Sequence, residues 1–245
     1  MGAAVKRRLE AVDSLRGLAI LSMILYHGVW DLVTLCEVEL RWYRGLPGIL
    51  WQQSICWSFI FLAGFSWQLG RAPWKRGLLT LGAGAAVSLI TALAGHPVRF
   101  GILTLLGSCM LLWLPLSKIR LSPAWGLGLC GVLFGVTGGI MGLRHLGAPV
   151  FRAPDWLRAD WALAYLGFPQ PGFSSSDYFP LLPWIFLFGV GYFTFSLLKS
   201  RDLRWLERGR VPVVSTLGRN SLLIYLLHQP ILYGLCILGV WLAGR

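Results

Sequence analysis

Seven apolar runs, each long enough to cross most or all of a lipid bilayer's hydrocarbon layer, constrain this chain more than any local motif. They extend from about Ser14 to Cys36, Pro47 to Leu69, Gly77 to Gly95, Phe100 to Leu116, Gly126 to Leu143, Tyr178 to Leu198 and Asn220 to Ala243. At ~1.5 Å rise per residue, a helix over each covers most or all of a ~30 Å hydrocarbon layer. A water-soluble core needs helices with polar faces, and these runs have few. The sequence is 56% hydrophobic and only 13% charged, which agrees. The expected class is an all-α polytopic bundle of seven transmembrane helices. There is no internal repeat and no soluble insertion, so residues 1–245 are read as one transmembrane domain.

The formal charge of +12 invites a nucleic-acid reading, but the basic residues cluster in the short connections between apolar runs. That placement suits topology control and the anionic inner leaflet rather than a nucleic-acid partner. With the N-terminus inside, fifteen of the 22 Lys and Arg residues fall on the inner side and seven on the outer. The expected topology is therefore N-terminus inside and C-terminus outside. Lys6, Arg7 and Arg8 precede an apolar run too long for a signal-peptide core, and no small-x-small cleavage site follows. That run is read as a retained first helix. The five cysteines, Cys36, Cys56, Cys109, Cys130 and Cys236, are odd in number and form no C-x-x-C pair. They are read as small buried apolar residues, without a disulfide framework or a zinc site.

Two connections exceed what a hairpin needs. The first, Arg144 to Asp177, carries Trp156, Trp161, Tyr165 and Phe168, which suit an interface or a partly buried excursion. The second, Lys199 to Arg219, is strongly basic and long enough for a short surface helix.

The first run holds a row of ionisable groups. Eleven residues separate Arg16 from His27, about three whole helical turns, so both face one way roughly 16 Å apart. Asp31, four residues beyond His27, shares that face. Charge inside a membrane segment is costly to keep, so such a row marks a candidate functional site. His27 suits a general base near neutral pH, and Asp31 is expected to fix its tautomer by accepting from one ring nitrogen. Arg16, near the inner end, suits a phosphate or a polar cofactor arm, or an interfacial pair with Asp13.

The last run reads Arg219-Asn220-Ser221-Leu-Leu-Ile-Tyr225-Leu-Leu-His228-Gln229-Pro230. Entering from the inside, it carries His228 ~13 Å deep, close to the level of His27. Tyr225 precedes it by almost one turn. Pro230 frees a backbone carbonyl near His228. Gln52 and Gln53 make the second run polar, either lining an acceptor site or tying helices together. Asp177 opens the sixth run as a helix N-cap or a substrate contact. No G-x-S-x-G, Walker A or H-E-x-x-H pattern occurs, so the usual hydrolase, nucleotidase and zincin signals are missing.

The ordered set VDSLRGLAILSMILYHGVWDL, FIFLAGFSWQL, RFGILTLLGSCMLL, GFSSSDYFPLLPWIFLFGVGYF and LGRNSLLIYLLHQPIL resembles the heparan-α-glucosaminide N-acetyltransferase catalytic-domain family in its short bacterial form. The spacing of Arg16 and His27 is also similar to the acyltransferase-3 group. The resemblance implies an integral protein of the bacterial inner membrane, embedded in lipid, that uses acetyl-CoA as cosubstrate, needs no metal and is compatible with a homodimer. Acetyl-CoA would dock from the cytosol near Arg16, Arg76 and Arg219, with Asn220, Tyr225 and His228 along its arm. An acceptor amine or hydroxyl, on an amino sugar or another glycan, would approach from the opposite side near Gln52, Gln53 and Asp177. By the acyltransferase-3 pattern Arg16 and His27 carry over as the essential pair; on the helix spacing given above, Asp31 would join His27 in catalysis, with His27 as general base or as an acetyl carrier. The lysosomal members carry their catalytic histidine just before the second helix, where this chain reads Trp42-Tyr-Arg-Gly-Leu-Pro-Gly, so the base is placed at His27 instead. Two rivals remain open at this level: a b-type haem ligated by His27 and His228, and a small-molecule or proton transporter.

Overall fold

The computed structural model describes residues 9–141, 160–209 and 211–242. Among them every regular element is helical. In chain order these are α1 (Glu10–Thr34), α2 (Arg41–Arg44), α3 (Leu46–Phe65), α4 (Pro73–Leu93), α5 (Ile102–Leu116), α6 (Pro123–Met141), α7 (Trp161–Leu166), α8 (Leu181–Leu198), α9 (Arg204–Arg208), α10 (Pro212–Arg219) and α11 (Ser221–Leu242). A single 3-10 turn, Trp67–Leu69, follows α3.

Each of the seven expected runs has a helix at its place, but among the described residues five helices are long and apolar enough to cross a membrane: α1, α3 with its 3-10 turn, α4, α8 and α11. The fourth run is the clearest difference. Its helix α5 has 15 residues, about 22 Å of axial rise, short of a ~30 Å layer. It begins only after Gly101 and stops at Ser117, two residues beyond Pro115. The described part of α6 is likewise a shorter apolar helix.

The chain divides into two compact units, Met1–Phe59 with Arg201–Arg245, and Ile60–Ser200. In the first, α1 packs against α9, α10 and α11. Glycine makes the α1–α10 contact possible: a Cβ on Gly17 would strike the Val214 carbonyl oxygen, and one on Gly218 the Asp13 carbonyl oxygen. Ser14 secures the same junction. Its hydroxyl lies 2.8 Å from the Ser215 hydroxyl, donates to the Gly209 carbonyl at 2.7 Å and accepts the Val211 N–H at 3.2 Å. Ile20, Met23 and Ile55 form the apolar centre, flanked by Tyr26, Trp51, Ile224 and Tyr225. Outward-facing Leu25, Leu235 and Trp241 are 63%, 60% and 72% exposed. Large apolar side chains so bare on membrane-length helices fit a lipid solvent.

The short helix α2 stands where a plain connection is expected. Tyr43 is buried there and its hydroxyl donates to the Tyr26 carbonyl at 3.4 Å. Burial raises the Tyr43 pKa, so the phenol stays protonated and remains a donor.

In the second unit α4 pairs with α5, and α8 packs on α6 and α5. Gly107 brings α5 onto the α4 backbone at Leu81, and Gly191 brings α8 onto Phe61. The Trp113 ring of α5 lies 5.5 Å from Phe188 and 5.4 Å from Tyr192 of α8.

Asp177 does not cap the helix that follows it. Its carboxylate accepts the Ile102 N–H at 3.2 Å and so caps α5. Pro180, extended at φ −65°, ψ 160°, is the residue at the N-cap of α8. The segment before α8 is held along the residues leading into α5: Arg99 N–H donates to the Ser175 hydroxyl at 2.8 Å and Phe179 N–H to the Phe100 carbonyl at 2.8 Å. That docking carries Asp177 to a foreign helix start.

Of the long connection before it, residues 142–159 lie outside the described set, with Arg144, Arg152, Trp156 and Arg158 among them. Its end forms α7, capped by the Asp160 side chain, which accepts the Ala162 N–H at 2.8 Å. Gly167, at φ 119°, ends α7 in a left-handed conformation that suits glycine. The basic stretch from Lys199 holds two short helices, α9 and α10, where the sequence suggests one. Lys6, Arg7, Arg8, Arg210 and Arg245 lie outside the described residues.

Candidate active site

The first and last long helices bring two histidines into contact. The ring of His27 on α1 meets that of His228 on α11 edge to face, with centroids 4.9 Å apart and planes at 62°. His27 is half-buried and His228 buried, with Tyr225 5.4 Å from the His228 ring. Tyr26 stands edge-on to His27 at 5.8 Å.

The tautomer of His228 follows from its partner. Its Nδ1 is 2.6 Å from the Tyr225 carbonyl oxygen, which only accepts, so Nδ1 carries the proton. Nε2 is then a lone-pair nitrogen, buried and without a hydrogen-bond partner among the described residues. α11 continues through Pro230, which has no N–H to offer the preceding turn.

Asp31 is 1% exposed, one turn beyond His27 on α1. Its expected bond to His27 is replaced by one from the neighbouring helix: Gln229 donates from Nε2 to Asp31 Oδ1 at 3.0 Å. The physical reason lies in the packing. Residues four apart on one helix lie one above the other, and α11 inserts a donor beside the upper one. Asp31 Oδ2 and Gln229 Oε1 are buried and have no partner among the described residues. Three acceptor atoms therefore lie on two adjacent helices without donors. Buried polar atoms are costly when unpaired, so this set suits a donor-rich group such as an amine or a hydroxyl. Beside it an open groove of about 330 Å³ runs between α1 and α11, lined by Gly28, Asp31, Leu32, Leu232 and Leu235 among others.

The remaining expected residues are engaged close to their own helices. Arg16 pairs with Asp13 at 3.8 Å and keeps a quarter of its side chain exposed. Arg219 turns back on α10, donating to the Ser215 carbonyl at 3.2 Å and the Thr216 hydroxyl at 3.3 Å. Asn220 donates to the Thr216 carbonyl at 2.9 Å. Gln53 accepts from Trp57 Nε1 at 3.1 Å, and Gln52 is half-buried one residue before it. Arg76 and Asp177 belong to the second unit. Arg76 donates from Nη2 to the Trp67 carbonyl at 2.9 Å and packs over Gly70, while its Nε is buried without a partner among the described residues. Asp177 is committed to the α5 cap, and burial pushes its pKa up to about 6 against the opposing effect of the Ile102 N–H.

Sequence reasoning passed over Gln229. The signal for it was an amide placed inside an apolar run next to His228. Among the described residues no three His, Cys, Asp or Glu side chains converge as a metal site requires. Haem ligation by two histidines places the iron and the porphyrin plane between the rings. In this protein the rings meet directly, so the arrangement does not suit that ligand.

Helices of membrane-crossing length and apolar composition, with buried polar groups where the first and last of them meet, mark an integral membrane protein. The family model described as heparan-alpha-glucosaminide N-acetyltransferase, catalytic, matches residues 8–230, and the chain belongs to that family of membrane acetyltransferases. No curated protein and no solved structure matches it.

Proposed function

We propose that the protein transfers an acetyl group from cytosolic acetyl-CoA to an amine or hydroxyl, on an amino sugar or another glycan, presented from the opposite side of the membrane. One observation carries this reading: the contact between His27 and His228, with a lone pair on His228 Nε2 and unpaired acceptor atoms on Asp31 and Gln229 of the same two helices. An acetyl acceptor must offer N–H or O–H hydrogens and then lose one, and this group of atoms is made of acceptors.

In the proposed step the acceptor's nitrogen or oxygen attacks the thioester carbonyl carbon. The new C–N or C–O bond forms, the C–S bond breaks, and CoA leaves as a thiolate that takes up the proton the imidazolium received from the acceptor, so that CoA departs as thiol and the imidazole is restored. His27 takes the acceptor's proton, and His228 Nε2 shares it across the ring contact by accepting an N–H from the protonated partner. Asp31, held by Gln229, balances the resulting positive charge from one turn away. Arg16 serves the phosphates of CoA at the inner end of α1, at the edge of the membrane, and exchanges its Asp13 partner for them. Fifteen basic residues on the inner side favour the same orientation, with the N-terminus in the cytoplasm.

Incubation of the purified protein with labelled acetyl-CoA and a panel of amino sugars and polyols tests the reading. His27→Ala and His228→Gln should each lower transfer by ~10²–10⁴-fold, the usual span for loss of a general base, while the proteins remain folded. Normal transfer by the His27→Ala protein would end the assignment.

A further inference from the structure

The first and last long helices also meet through two thiols. Cys36 follows the end of α1, and Cys236 lies in the second half of α11, 200 residues later in sequence. Their Sγ atoms are 3.4 Å apart. Both residues are half-buried, whereas Cys56, Cys109 and Cys130 are buried. Cys236 is seven residues beyond Gln229, two turns along the same helix face and ~10 Å further on. The Asp31 backbone carbonyl accepts the Leu35 N–H at 2.8 Å and the Cys36 N–H at 3.4 Å, so the residue that binds Gln229 also places the Cys36 thiol. Both cysteines line the groove that Asp31 borders.

We infer that Cys36 and Cys236 form a disulfide that clamps α1 to α11 at the end of this groove. Two thiols in van der Waals contact need only a small approach to reach the ~2.05 Å bond. The oxidant required is a disulfide of the thiol-exchange class, small molecule or protein. Cys36, as thiolate, attacks one sulfur of R–S–S–R and releases the first R–S⁻. Cys236, as thiolate, then attacks the Cys36 sulfur of the mixed disulfide and releases the second. The two cysteines lose two protons and two electrons in all, and the oxidant becomes two R–SH. Half-buried sulfurs are within reach of that exchange; fully buried ones are not. The bond fixes the rotation and the axial position of α11 against α1. It thereby holds Gln229 on Asp31 and His228 on His27. The linkage does not depend on acetyl transfer.

The test uses the full chain, purified in detergent. After treatment with oxidised glutathione, acid quenching and denaturation, free thiols are alkylated with a maleimide and counted by intact mass. Accessible thiols should fall from five to three, a proteolytic fragment pair joining Cys36 to Cys236 should appear, and dithiothreitol should restore all five. The variant Cys36→Ser, which has four cysteines, should form no internal bond. Should that variant fail to accumulate, the thiol count and the fragment pair from the natural chain decide the matter alone. Five free thiols after oxidation, a stable glutathione adduct on either cysteine, or a bond using Cys56, Cys109 or Cys130 would overturn the inference. None of these outcomes is read through acetyl transfer, so the linkage and the proposed activity stand or fall separately.

Discussion

Asp177 is the acid whose surroundings act most plainly on stability. Its carboxyl is half-buried, accepts one backbone N–H from Ile102, and has a pKa pushed from 3.8 to about 6, chiefly by desolvation. A carboxyl raised in the folded state binds protons that the unfolded chain has already lost between those two values. The folded state is therefore favoured at low pH, and that advantage disappears as pH rises through 6. The gap corresponds to about 3 kcal/mol, and partial exposure to solvent reduces the expected figure to ~1–3 kcal/mol. Asp177→Asn keeps an oxygen to cap α5 and removes the charge. At pH 8 the variant should melt ~3–10 °C above the natural chain in detergent, followed by tryptophan fluorescence. At pH 4 the two should melt within a degree or two of each other. A variant no more stable at pH 8, or a difference that ignores pH, would refute the reasoning. Because the Asp177 carboxylate is committed to the start of α5, the same variant should keep acetyl transfer within a few-fold.

Three further outcomes rest on the same packing. Gln229→Leu removes the donor to Asp31 and leaves a buried carboxylate without a partner, so thermal unfolding should show a loss of ~1–3 kcal/mol, with acetyl transfer reduced as well. Gly17→Val puts a branched side chain into the Val214 backbone, and detergent-solubilised protein should lose ~1–3 kcal/mol or more and become protease-sensitive near Gly209. Arg16→Gln should raise the KM for acetyl-CoA by about tenfold with kcat nearly unchanged, and an equal fall in kcat would argue against a role in phosphate binding.

The helices themselves were legible because a membrane leaves the backbone little choice. Long apolar runs must satisfy their own hydrogen bonds, so α1, α3, α4, α8 and α11 follow from composition and length. The spacing of Arg16, His27 and Asp31 along one face was legible too, since a helix has a fixed period. Family membership was carried by ordered motifs spread over nearly the whole chain. The extent of α5 was legible as well, since the run Phe100 to Leu116 anticipates Ile102–Leu116 within two residues.

Contacts between segments distant in sequence were decided by the tertiary structure alone. Asp177 caps α5 instead of the helix beside it, because hydrogen bonds between the segments leading into α5 and α8 carry it there. Asp31 bonds Gln229 instead of His27, because α11 brings an amide to it. Cys36 and Cys236 read as inert apolar residues until α1 and α11 set their sulfurs side by side. Helical period orders side chains along one segment, whereas the partner of each polar atom depends on which other segment packs against it. One-dimensional spacing therefore located the ionisable row, and three-dimensional packing chose its partners.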